Sequence, residues 1–193
     1  MPWEKQFNPD EVLDKAMQSF WTRGYEATSM QDLVDCTGVN RASLYATFGD
    51  KHALFVAALR MYDERMCGKL LTDIEARYEP RDAIRQLFLA FVENVSESGS
   101  NRGCFVTNSA LELADHDRQV GEIVANAQGQ IEDFFARMIK LGKDRHVIPG
   151  HVKATDVARG LLASLIGLVV LSRSRPDKAL LQTVIGEAMG RLG

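Results

Sequence analysis

Helical periodicity runs almost unbroken along this chain, and no segment sustains an alternation of period two. The pattern therefore predicts an all-α fold with essentially no sheet. Cap and breaker residues divide it into helices. Asn8-Pro9-Asp10-Glu11 opens the first, with a capping residue, a proline at the first helical position and a carboxylate three residues after the cap. Its inner stripe is Val12, Leu13, Ala16 and Phe20, and Gly24 stops it. A second helix is expected to open at Thr28, with Gln31 as its capping-box partner, and to end at Gly38. Asn40 caps a short third helix that carries Leu44 and Phe48 on its inner side. Gly49-Asp50 then starts a long fourth helix, from Lys51 to about Glu75, roughly 37 Å at 1.5 Å per residue.

Helices are expected from Pro80 to about Ser98, Cys104 to Ala114, Asp117 to Leu141, Thr155 to Ser172 and Asp177 to Leu192. The loops are Ser98–Gly103 and Gly142–His151. The count is about nine helices. Their spacing suggests an N-terminal three-helix domain over residues 1–50 and a larger helical domain over 51–193.

Composition narrows the function. With 46% hydrophobic and 25% charged residues among 193, the chain can bury a sizeable core and is not largely disordered. It shows no apolar leader, and the run Leu161–Leu171, broken by Ser164, falls short of the ~20 residues of a membrane span. A cytoplasmic protein with no membrane partner is expected. Cys36, Cys67 and Cys104 form neither a disulfide framework nor a zinc pattern, and the four histidines make no ligand pair. No phosphate loop, dinucleotide fingerprint or nucleophile elbow occurs. The expectation is a binding protein rather than an enzyme, with no metal and no cofactor.

Residues 29–48 are the most informative. Two short helices flank a tight turn at Gly38, with Val39 as an apolar plug, the form of a helix-turn-helix. Placing Leu44 and Phe48 inward turns Ala42, Ser43 and Ala46 outward, with Thr47 on the flank. A small, hydroxylated face fits deep into a major groove, and Arg41 can pair bidentately with guanine. The spacing alone equally allows an αα-hairpin that packs on something else.

The stretch Phe20–Phe55, FWTRGYEATSMQDLVDCTGVNRASLYATFGDKHALF, resembles the DNA-binding region of the TetR family of transcriptional repressors. The shared pattern is F…GY…TS…L…(T)GV…S.LY..F..K..L. The resemblance implies three DNA-binding helices, a connecting fourth helix, a ligand-binding core and two C-terminal helices that dimerise. It places Gln31, Arg41, Ala42, Ser43 and Tyr45 toward bases, Ser29, Thr47 and Lys51 toward the backbone, and Thr28 at the helix N-terminus. Gln31 serves equally well as a cap partner; for Tyr45 a phosphate contact through its hydroxyl is favoured in this motif over simple packing of the ring. The implied partners are double-stranded DNA, a second copy of the chain, and a small-molecule or electrophile effector. Against this stands the charge: residues 1–55 hold five basic and eight acidic side chains. A local basic edge of Arg23, Arg41, Lys51 and His52 has to carry the contact with phosphate.

Gly160–Leu171 is apolar nearly all round, so that helix needs burial on more than one side, against its own core and a partner. Gly160, Ala163, Ser164 and Gly167 permit close approach there, and the last helix adds Leu180, Leu181, Val184, Ile185, Ala188 and Met189. Phe88, Phe91, Phe105, Phe134, Phe135 and Met138, with Asn108 and Glu112 as polar partners, are the candidate ligand pocket. Cys104, at a helix start beside Arg102, is the candidate redox or electrophile sensor, because both neighbours favour thiolate. Cys36 and Cys67 are expected to pack.

Overall fold

Side-chain caps fix the helix boundaries. In the computed structural model, which describes residues 7–92 and 102–193 (Met66 and Cys67 by backbone alone), α1 spans Pro9–Arg23, α2 Met30–Thr37, α3 Arg41–Phe48 and α4 Lys51–Asp63. A π-helical segment, Glu64–Lys69, leads into α5, Leu70–Arg77. Then follow α6 Pro80–Val92, α7 Phe105–Glu112, α8 Arg118–Asp144, α9 Ala154–Ser174 and α10 Lys178–Gly190. The described residues contain ten α-helices and no strand, one helix beyond the expected count. The extra one arises because the π turn divides the expected long fourth helix, at a place where Gly68 offers no side chain to pack.

The first cap is as expected: Asn8 Oδ1 accepts from Asp10 N at 3.0 Å. The second helix starts one residue later than the sequence pattern suggested. Ser29, not Thr28, is its N-cap, and Asp32, not Gln31, completes the capping box, with Ser29 N donating to Asp32 Oδ2 at 2.8 Å. The helix that was expected to stop at Leu141 continues to Asp144. Gly142 lies within it, and a Cβ there would fall 2.6 Å from Ile148 Cδ1, so the loop folds back onto bare backbone. The end of the Pro80 helix beyond Val92, loop positions 98–101 and the packing of Cys67 lie outside the described residues.

One continuous core joins all the helices. α8 packs against α9, α6, α7 and α4, with Val120, Phe134, Phe135 and Met138 fully enclosed. Phe20 of α1 meets Phe55 of α4 edge-on at 5.1 Å, and Phe55 meets Phe105 of α7 at 5.5 Å. Edge-to-face pairs of this kind add about 0.5–1.5 kcal/mol beyond the area they bury. The first three helices are thereby seated on α4 and, through it, on the core.

At 21 residues α9 is apolar and long enough to cross a membrane, longer than the Leu161–Leu171 run suggested. Leu161, Leu165 and Leu168 bury into the core. Ala163, Gly167 and Val170 remain exposed on the opposite side, as do Thr183, Gly186 and Gly190 of α10. Gly160 does not belong to that open face, because a Cβ on it would lie against the Arg191 guanidinium of the same chain.

The Ser29–Asp32 box makes the start of α2 acid-sensitive. The Ser29 hydroxyl and backbone N–H, with help from Arg23, hold the Asp32 carboxyl down at about 2 against an ordinary 3.8. A carboxyl depressed by folding contributes stability above its unfolded pKa and loses it as pH falls toward the folded one. Melting temperature should therefore fall between pH 4 and pH 2, and Asp32→Asn should show a flatter dependence across that window by circular dichroism.

Candidate nucleic-acid interface

The turn between α2 and α3 is built by a few short-range bonds. Gly38 adopts φ +75°, a left-handed conformation that glycine takes without the Cβ penalty. The Thr37 hydroxyl donates to Leu33 O at 2.6 Å and accepts from Val39 N at 3.2 Å. Val39 is buried beneath the turn with Leu33 and Leu44. Asn40 Oδ1 accepts from Ser43 N at 2.9 Å and starts α3. These contacts fix the angle at which α3 leaves α2, and α3 therefore presents one defined face.

That face is open. Arg41, Ala42 and Ala46 are exposed, Tyr45 is 41% exposed, and Ser43 and Thr47 are half-buried on its flanks. Leu44 is sealed on the inner side, while Phe48, expected there too, is only half-buried. Gln31 is exposed on α2 and donates to Asp35 Oδ1 at 2.8 Å, so it does not serve as the cap partner of Thr28. Ser29 is exposed, but its hydroxyl donates to Asp32 Oδ2 at 2.6 Å. Thr28 is the clear departure. It is 0% exposed and its hydroxyl donates to Gly24 O at 2.6 Å, so it shapes the turn before α2 and has no surface to offer.

The basic edge is narrower than the four residues named from sequence. Arg23 is committed to an ion pair with Asp32. His52 Nε2 is engaged by Asp117 Oδ2 at 2.5 Å. Arg41 makes no ion pair among the described residues and is exposed. Lys51, half-buried, rests its ammonium 4.3 Å from the centre of the Tyr25 ring. The ring itself has a raised pKa, from burial first and then from Glu26, Asp50 and Asp117 nearby, so it stays the neutral phenol. Two cations are left for a polyanion. The excess acid is partly neutralised: Asp32 by Arg23, and Asp14 by Arg65 at 2.5 Å.

Three links tie this unit to the core. Glu112, at the end of α7, accepts from Tyr25 N at 3.1 Å and Glu26 N at 2.9 Å with its two carboxylate oxygens. Asp117 caps α8 and also holds His52. Burial raises its pKa, but the Val120 N–H, His52 and the Gln119 N–H outweigh burial and lower it. Trp21 Nε1 donates to Arg102 O at 3.2 Å, and the Arg102 guanidinium lies 4.6 Å from a Trp21 ring centre. Sequence reasoning placed Glu112 in a ligand pocket and overlooked Asp117, Trp21 and Tyr25. Only the cap signal of Asp117 before α8 was readable; pairing across more than 60 positions leaves no local pattern.

The candidate pocket residues divide. Phe88, Phe134 and Met138 are enclosed core, with Phe88 stacked on Phe135 at 5.8 Å. Phe91 lines an apolar cavity of about 30 Å³ with Tyr62, Cys104, Ile131, Leu165 and Val169. Phe105 and Asn108 face a different cleft, at the junction with α1. Cys104 is only 8% exposed and turned into the apolar cavity, and Arg102 is occupied by Trp21 and Gln18, so the expected cationic, accessible thiol is not formed. Of the two cysteines whose side chains are described, Cys36, expected to pack, is the exposed one. Among the described residues no cluster of His, Cys, Asp and Glu could hold a metal.

Comparison with known proteins agrees with this architecture. Residues 12–58 match the family model for bacterial regulatory proteins of the tetR family, and residues 80–187 match that for a tetracyclin repressor-like C-terminal domain. The chain is 32% identical over 181 residues to the HTH-type transcriptional regulator YezE of Bacillus subtilis, covering 92% of each. It is 28% identical over 186 residues to the HTH-type transcriptional repressor ComR of Escherichia coli, covering 96% of this chain and 89% of that one. A cysteine mutant of the TetR family regulator CifR, solved on 26-base-pair operator DNA, superposes with a TM-score of 0.84 at 25% identity and 98% coverage of both chains. With a helix-turn-helix open on one face and a core of matching layout, the chain belongs to the TetR family and is a DNA-binding transcriptional regulator.

Proposed function

We propose that the protein is a homodimeric repressor that reads a two-fold symmetric operator with α3 of each protomer and is released when a small apolar effector opens its core. The observation that carries this reading is the open face of α3, small at Ala42 and Ala46, with Arg41 exposed and unpaired among the described residues. Arg41, Ala42, Ser43 and Tyr45 take the base edges, with Gln31 beside them; Lys51, Thr47 and Ser29 take the phosphates. Thr28 acts only through the turn it holds. With two open cations per copy, affinity depends on both half-sites being engaged together.

The exposed small-residue stripes of α9 and α10 support the dimer, since four such helices packed across a two-fold axis would cover both. The effector site on this reading is the apolar cavity that Cys104 and Phe91 line. At about 30 Å³ it holds nothing larger than a water molecule until α7 or α9 shifts, which gives an occupant a means of changing the helix that carries Glu112.

Arg41→Ala should weaken operator binding by about 1–3 kcal/mol and relax sequence preference. Lys51→Ala should weaken all duplexes alike and lower the salt slope by about 1. Fluorescence anisotropy on duplexes tiling the DNA upstream of its own gene decides, and wild-type binding by both variants would remove the assignment. Gly167→Glu should leave the fold intact, because a Cβ there meets nothing within 4 Å, yet place an unpaired charge at the contact between copies. Sedimentation should show monomer with an unchanged helical spectrum; a stable dimer would move the interface elsewhere.

A further inference from the structure

A second cleft lies outside the apolar cavity, between α1 and the core, with a volume of about 250 Å³. One wall is Phe20, Trp21 and Gly24; the other is Phe105 and Leu111 of α7 with Arg173 of α9. Three charged side chains reach it, and two of them are satisfied. Arg23 is paired with Asp32, and Glu112 gives both oxygens to backbone N–H groups. Glu112 keeps its negative charge, but both of its oxygens are taken; Arg173 makes no hydrogen bond or ion pair among the described residues, so it is the charged group of the cleft with donors free for a partner.

The position of Arg173 is set by the chain beneath it. A Cβ on Gly103 would lie 3.6 Å from Arg173 Cδ, so the aliphatic stem runs along bare backbone. Asn108 Nδ2 donates to Arg102 O at 2.9 Å and anchors that segment to α7. Beside the guanidinium, Leu111 is 75% exposed, the most exposed large hydrophobic side chain among the described residues. An apolar wall with one unpaired guanidinium is the recognition pattern of an amphipathic anion. The guanidinium fork matches a carboxylate or sulfonate, and the aromatic and aliphatic walls match a ring. The volume is just below the ~300–1,000 Å³ range of drug-sized sites, which limits the occupant to one or two rings.

We infer that this cleft binds a small aromatic anion, its ring against Trp21 and Leu111 and its anionic group on Arg173. The site stands apart from the operator reading and is tested without DNA. The full chain carries two tryptophans, Trp3 and Trp21, so Trp3→Phe makes Trp21 the sole reporter. Titration with 1-naphthalenesulfonate should give a saturable change in Trp21 emission, with calorimetry showing one site per protomer. In that background Arg173→Gln should weaken binding at least tenfold and Leu111→Asn several-fold, with unchanged melting because both side chains are exposed. Neutral naphthalene should bind more weakly than the sulfonate. Ile131→Phe, which fills the apolar cavity, should leave the affinity within twofold. No saturable signal, an unchanged affinity in Arg173→Gln, or loss of binding in Ile131→Phe would each overturn the assignment.

Discussion

The aim of the recognition helix rests on one junction, where the loop after α1 meets the end of α7. Gly24, at φ +89°, turns the chain so that the N–H groups of Tyr25 and Glu26 both point at the Glu112 carboxylate. Charge-assisted bonds of this kind are roughly twice as strong as neutral ones, and a bidentate pair fixes orientation as well as distance. Around it Phe20, Tyr25, Phe55 and Phe105 interlock edge-on, with Trp21 and Tyr62 alongside. The helix-turn-helix is internally rigid through its own short-range bonds, so its placement relative to the core is decided here and by His52–Asp117.

What was legible in the sequence is what local physics determines. Asn8, Asn40, Asp50, Asp117 and Asp177 all cap helices through their side chains, and each is followed at once by the helix it starts. The α2–α3 turn was legible for the same reason: glycine in a left-handed conformation followed by a buried valine is a local signal. The one-residue error at α2 has a physical cause. Thr28 and Ser29 are both good caps, and what chooses between them is tertiary: Thr28 is sealed under Gly24, which leaves Ser29 at the surface to bond Asp32. Likewise nothing local tells an aromatic that lines a cavity, such as Phe91, from one that seals the core, such as Phe134. Cys104 was misjudged because a helix start beside an arginine looks electropositive on paper, whereas the folded chain points Arg102 at Trp21.

Net charge was a poor guide to DNA binding here because it counts acids regardless of where they are spent. Asp32 and Asp14 are held by arginines, and Asp117 by a cap and a histidine; none of them adds its full charge to the face of α3. The same pairing occupies Arg23 and His52, two of the four residues expected to form the basic edge. On the proposed reading, with only Arg41 and Lys51 of the expected edge open, long-range attraction would be weak and the interface would rely on geometry, the fit of a small-faced helix into a groove, more than on counterion release. A chain of this kind gains more from a rigid spacing between two copies than one with a strongly basic arm.

That reliance on spacing explains how a modest structural change could control binding. A ligand shifts a conformational equilibrium only by the difference in its affinity for the two states. If the apolar cavity is the effector site, as proposed, it admits almost nothing as it stands, so an occupant would bind chiefly the state in which it is enlarged. α7 is eight residues long, lines that cavity at Val106 and Thr107, just after Cys104, and ends at Glu112, less than two turns further on. A short, straight helix transmits a displacement at one end to the other with little loss, and the carboxylate at its far end holds the turn that leads into α2. On that proposal, close-packed surroundings would favour a two-state response over a graded one, since a close-packed core resists continuous deformation.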